Sequence, residues 1–138
     1  MPHIEVSTRV NRNADALWRE VGSFQGVGAW HPWLAKVEGT GEAPEAIRTA
    51  ETANGERQIE RLQDSNPQQH WYRYVLLSTP LPVKDYVGTF RVLACDAATS
   101  IVCWSSDFRI ISGNEDEVID AIHKFLEVGL QNLKRKYA

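Results

Sequence analysis

The spacing of hydrophobic positions changes along the chain, and those changes divide it into elements. Ile4, Val6, Thr8 and Val10 alternate with Glu5, Ser7 and Arg9, the period of a strand with one buried face. After Asn13 the period lengthens. Ala14, Leu17, Trp18 and Val21 recur at helical spacing, Asn13 is a capping residue type, and Gly22 or Gly26 marks the end. From Gln25 to Pro32 the punctuation by Gly26, Gly28 and Pro32 leaves room only for a brief second helix. The chain then turns sharply through Trp30-His31-Pro32-Trp33.

From Leu34 to about Phe108, strand-like segments are separated by turn signals at Gly39-Thr40-Gly41, Asn54-Gly55, Ser65-Asn66-Pro67, Pro80-Leu81-Pro82 and Asp96-Ala97-Ala98. Six strands are predicted there. Asn54-Gly55 predicts a type I′ hairpin, the turn that needs positive φ at both central residues. Asn114, followed by Glu115, Asp116 and a capping-box Glu117, predicts a helix start. Val118, Ile119, Ile122, Phe125, Leu126, Gly129, Leu130 and Leu133 then form one broad apolar face reaching to about Lys136.

The predicted order is strand, two short helices, six strands and a long helix. Helices that flank a sheet-forming block argue an α+β fold with an antiparallel sheet, rather than a doubly wound parallel one. A bent antiparallel sheet has one concave face, and the long helix is the element able to cover it, so an interior pocket depends on side-chain size. Gly129, in the middle of that helix, costs about 1 kcal/mol relative to Ala. It leaves space either for a ligand or for close backbone packing on the sheet. Trp104, Ser106 and Phe108 share one strand face. Tyr72 and Tyr74 share a face of an earlier strand, with Trp71, Arg73 and Val75 on the other, and the pattern leaves open which face points inward.

Composition narrows the function classes. With 138 residues, 43% of them hydrophobic, the chain is expected to form a single domain over 1–138. A net charge of -3 gives no footprint for nucleic acid, and Lys134-Arg135-Lys136 fits the negative end of the last helix. No stretch approaches the roughly 18 apolar residues of a membrane span, and Met1 to Glu5 lacks the start of a signal segment. The expectation is a cytoplasmic protein without integral membrane association, a monomer or weak homodimer. Cys95, paired by its turn with about Ser100 or Ile101, is out of register with Cys103, so two free thiols are expected.

The ionisable residues offer few candidate sites. His3, His31, His70 and His123 are scattered, with no metal-ligand spacing, and neither a metal nor another cofactor is expected. There is no nucleophile elbow and no phosphate loop. His31 has two readings: a proton-exchanging group beside a ligand, or a side chain that hydrogen-bonds backbone and orders the aromatic turn. Arg73, Glu51, Arg61 and Asp107 are expected in solvated outward pairs rather than as a charge pair inside a cavity.

Trp30-His31-Pro32, Pro80-Leu81-Pro82-Val83-Lys84-Asp85-Tyr86 and Trp104-Ser105-Ser106-Asp107-Phe108 occur in order, with a first helix containing Ala16-Leu17-Trp18-Arg19-Glu20-Val21 and the long last helix. In these segments the chain resembles the polyketide cyclase/dehydrase branch of the START/Bet v 1-like (SRPBCC) superfamily, over essentially its whole length. The resemblance implies a helix-grip fold: a seven-stranded antiparallel sheet around the C-terminal helix, two short helices closing one end and a hydrophobic cavity between. It implies a small hydrophobic ligand, lipid, isoprenoid or polyketide-like, and relatives include both carriers and cyclising enzymes. The residues expected to line the site are Trp30, His31, Trp33, Tyr74, Tyr86, Trp104, Phe108, Ile122, Phe125 and Gly129, with Tyr74 and His31 orienting polar atoms. Two further readings are an enzyme that cyclises or dehydrates its ligand, with His31 or a tyrosine hydroxyl managing protons, and a regulator whose Thr79 to Lys84 loop closes over ligand and presents a surface to another protein.

Overall fold

The computed structural model describes residues 2–138. The alternating N-terminal segment is strand β1 (His3–Val10), with every second residue buried. Asn13 then caps helix α1 (Ala14–Val21), its side-chain oxygen accepting the Ala16 N–H at 3.2 Å. The brief second helix is a single 3₁₀ turn, Val27–Ala29. Strands β2 (Leu34–Thr40), β3 (Ile47–Thr52), β4 (Arg57–Asn66), β5 (Trp71–Ser78), β6 (Val83–Ala94) and β7 (Ser100–Ile110) follow, and helix α2 (Glu115–Lys136) ends the chain. Asn114 caps α2 by accepting the Glu117 N–H at 3.1 Å.

The strands form one antiparallel sheet in the order β1-β7-β6-β5-β4-β3-β2. After β1 the strands are a plain meander, and the first strand returns to pair with the last. α2 lies over β1 and β7, burying Val118, Ile122, Leu126, Gly129, Leu130 and Leu133. The α+β helix-grip expectation holds because each element's period agrees with its place in the layers.

Two local departures from the sequence reading have clear causes. The β3–β4 hairpin is not type I′. Thr52 and Glu56 close a three-residue loop, with Thr52 N–H donating to the Glu56 carbonyl at 2.9 Å, and of its residues only Gly55 has positive φ (87°). One left-handed residue at the end of a three-residue loop suffices to reverse the chain, so Asn54 need not share the conformation. In β6, a bulge between Lys84 and Val87 places Asp85 at φ 53°. The extra residue shifts the alternation, so that Val83 and Tyr86 both point inward. Cys95 N–H bonds the Thr99 carbonyl while Cys103 pairs with Arg91 and Ser7, and both thiols are free.

The inner face of the sheet carries the orientation the pattern left open. Tyr72 and Tyr74 are buried, and Trp71, Arg73 and Val75 are on the outer face. With Trp104, Ser106 and Phe108 of β7 also inside, the concave surface is dominated by aromatic rings. These rings pack edge-on and offset, as with Trp30 against Phe90 and Trp104, whose centroids are both 5.3 Å away.

Candidate functional site

A cavity of about 190 Å³ lies between α2 and the inner faces of β3, β4, β5, β6 and β7. Its exposed end is marked by Trp33 and Glu56. Its buried end is formed by Arg48, Glu60, Tyr74, Tyr86 and Trp104. α2 contributes Ile122 and Phe125 to one wall, and Pro80-Leu81, in the loop between β5 and β6, contributes to another.

Of the residues expected at the site, Trp33, Tyr74, Tyr86, Trp104, Ile122 and Phe125 line this space. Trp30, His31, Phe108 and Gly129 do not. Trp30 and Phe108 are buried behind the wall, Trp30 against Phe90 and Trp104, Phe108 stacked on Tyr86 at 5.7 Å. A Cβ on Gly129 would lie 2.6 Å from His31 Cδ2 and 3.1 Å from Trp104 Cζ3. The glycine thus serves close packing, not cavity volume.

That packing explains His31. Its Nδ1 is 3.1 Å from the Trp33 N–H, which can only donate, so Nδ1 is the accepting nitrogen and the proton sits on Nε2. Nε2–H donates to the Phe125 carbonyl at 2.7 Å, and the ring stacks on the Phe125 side chain at 4.0 Å. Both nitrogens are therefore occupied by backbone of the aromatic turn and α2. Burial disfavours the imidazolium and outweighs these hydrogen bonds, lowering the pKa to about 4. His31 is a neutral latch. Asn132 adds a second tie, its Nδ2 donating to the Trp30 carbonyl at 2.8 Å.

The polar end of the cavity comes from residues that pattern reading passed over. Arg48 and Glu60 are direct cross-strand partners in β3 and β4, and both point inward, while Ile47 and Ile59 beside them point out. Arg48 Nε donates to Glu60 Oε1 at 2.6 Å, and Nη1 donates to the Phe24 carbonyl at 2.5 Å and the Tyr72 hydroxyl at 3.3 Å. The guanidinium lies 4.2 Å from the Phe24 ring centre and 4.8 Å from that of Tyr74. Burial by itself would depress its pKa, but Glu60 chiefly holds it above its ordinary value, so the guanidinium stays charged. The signal available in sequence was the inverted alternation Ile47-Arg48 and Ile59-Glu60, which reads as outward charge if the apolar residues are assumed to face in.

The four charged residues singled out beforehand are all on the outer surface. Glu51 meets Arg57 at 3.5 Å, Arg61 meets Glu45 at 3.7 Å, Asp107 meets His3 at 2.6 Å, and Arg73 lies over Trp71 at 5.2 Å.

The tyrosines complete the wall. The Tyr74 hydroxyl accepts the Trp104 Nε1–H at 3.0 Å, and the Tyr86 hydroxyl bonds Ser106 Oγ. Tyr74 lies flat across its cross-strand partner Gly88, where a Cβ would come within 2.3 Å of the ring. Burial raises the pKa of both phenols, so they are protonated donors rather than bases. Among the described residues no group of His, Cys, Asp or Glu is arranged to hold a metal ion, and no helix is long and apolar enough to cross a membrane.

Comparison with known proteins gives the same architecture. A family model described as "Polyketide cyclase / dehydrase and lipid transport" matches residues 1–138. A search of the curated proteins gives no match. Among solved structures, an uncharacterised Bacillus thuringiensis protein superposes with TM-score 0.91 at 27% identity, covering 99% of this chain and 98% of its own. XoxI from Bacillus cereus superposes with TM-score 0.92 at 27% identity, covering 99% and 96%. The ZhuI aromatase/cyclase from a Streptomyces species covers 99% and 93% with TM-score 0.82, and at 19% identity the likeness is one of fold.

Proposed function

From the premise that the chain belongs to the polyketide cyclase/dehydrase and lipid transport family, we propose that it binds a small hydrophobic molecule in the cavity between α2 and the sheet. The observation that carries this reading is the pairing of an apolar, aromatic-walled space with one fixed polar end, Arg48–Glu60. Ligand sites commonly combine a mainly apolar lining with a few placed polar groups. Trp33, Tyr74, Tyr86, Trp104, Ile122 and Phe125 would touch the ligand, with Trp33 and Glu56 at the opening.

The volume limits the occupant. A dry cavity of about 150 Å³ accepts benzene, and pockets for drug-sized ligands begin at about 300 Å³. At about 190 Å³ the space suits one or two rings, or a short branched chain, rather than an extended lipid tail. Binding is favoured over proton-transfer catalysis by His31, because both imidazole nitrogens are engaged by backbone.

Calorimetric titration with naphthol tests the proposal. Saturable one-to-one binding, accompanied by a change in tryptophan emission from Trp33 and Trp104, is expected. Absence of binding up to the solubility limit of the probe would remove the basis for the reading.

A further inference from the structure

We infer that the cavity selects a neutral, hydroxyl-bearing ring compound, an alcohol or phenol, and rejects carboxylates. The inference rests on the binding reading above and specifies the chemistry of that same site.

Three charged side chains line the cavity, and two of them are carboxylates: Glu60 inside, Glu56 at the opening, against Arg48 alone. Most of the guanidinium is occupied. Its Nε is on Glu60, its Nη1 is on the Phe24 carbonyl and the Tyr72 hydroxyl, and it lies over the rings of Phe24 and Tyr74, so that among the described residues only Nη2 has no protein acceptor. The side chain of Arg48 is 1% exposed, whereas that of Glu60 is 10% exposed. An incoming molecule therefore meets the acceptor of the pair, not the donor. Glu60 Oε1 is held by Arg48, and among the described residues Oε2 receives no protein hydrogen bond.

Tyr74 supplies the complementary group. Glu60 and Tyr74 sit on the inward faces of the adjacent strands β4 and β5. The Tyr74 oxygen accepts from Trp104, which leaves its own O–H to donate. A ligand hydroxyl can donate to Glu60, and the Tyr74 O–H offers a donor to a second polar atom of the ligand. A carboxylate can only accept. It would lose its hydration beside Glu60, while the one cation in the lining is already paired with Glu60 and almost wholly covered, a cost that falls on the charged form of any acid.

Matched probes separate this selectivity from the existence of the site: naphthol and naphthoate carrying their substituent at the same ring position, titrated calorimetrically at about pH 7, where the acid is ionised. The wild-type protein is expected to bind naphthol at least about tenfold more tightly. In Glu60→Gln the repelling charge is gone and the Arg48 charge is uncovered, so the preference should fall at least about tenfold, mainly through tighter naphthoate binding. Should Glu60→Gln fail to fold, the wild-type ratio decides alone. Naphthoate binding as tightly as naphthol in wild type overturns the selectivity and leaves the cavity as a binding site. Failure of both probes overturns the site and the selectivity together.

Discussion

His31 shows how a residue's chemistry is set by what surrounds it. In the unfolded chain its imidazole titrates near 6.5, and in the fold near 4. Between those values the unfolded state binds more protons, so stability rises with pH. The contribution is complete above about pH 6.5 and is lost as the pH falls through about 4. Each pKa unit is about 1.4 kcal/mol, so denaturant unfolding should show a loss of up to about 3 kcal/mol from this group across that window. The component should vanish in His31→Gln. An unchanged pH profile in that variant would show that the acid sensitivity arises elsewhere. Gly129 belongs to the same contact. Replacing a mid-helix glycine by alanine ordinarily stabilises by about 1 kcal/mol, but here the new methyl meets His31 and Trp104. Gly129→Ala should therefore lower stability by about 1–3 kcal/mol, and by clearly less in a His31→Ala background, where the nearest clash is absent. A chemical-denaturation double-mutant cycle over the two positions reads this coupling directly.

Strands β3 and β4 carry a different kind of dependence, because their inward faces hold opposite charges in register. Removing either partner leaves the other buried and unpaired, so Arg48→Ala and Glu60→Ala should each cost about 3–5 kcal/mol. Arg48→Met combined with Glu60→Leu should recover most of that loss while weakening recognition of a ligand hydroxyl. Thermal unfolding of the three variants tests the first statement, and naphthol titration of the double variant the second. Much at the element scale was readable from the chain alone. The seven strands, the caps at Asn13 and Asn114 and the apolar face of α2 follow from period and local hydrogen bonding, which neighbouring residues determine among themselves. The inward face of β3 and β4 was not readable, since a strand with charge inside and isoleucine outside has the same period as its reverse. Nor was the bulge at Asp85, which sets the direction of Tyr86 only through pairing with β7.

For the molecule as a whole, the cavity is the volume left where the aromatic rings, α2 and the Pro80-Leu81 loop fail to meet. Ala50, buried on the inner face of β3 two residues from Arg48, borders that space. Ala50→Leu should fill part of it, reducing naphthol affinity at least about tenfold while leaving the melting temperature unchanged or higher, because added methyl groups enter empty volume. Retained affinity with unchanged stability would place the probe elsewhere on the protein.

The sequence by itself determined the order of elements, their caps, the antiparallel arrangement and the enclosing helix, because each depends on periodicity and short-range chemistry. It also supplied several cavity-facing residues, since Trp104, Ile122 and Phe125 lie on faces with a clear repeat. Only the tertiary structure decided that His31 is a latch, that Gly129 makes room for that latch rather than for a ligand, and that Arg48 and Glu60 form the polar end. Those outcomes depend on which side chains meet across elements distant in sequence, and on how burial weighs a charge against its partner.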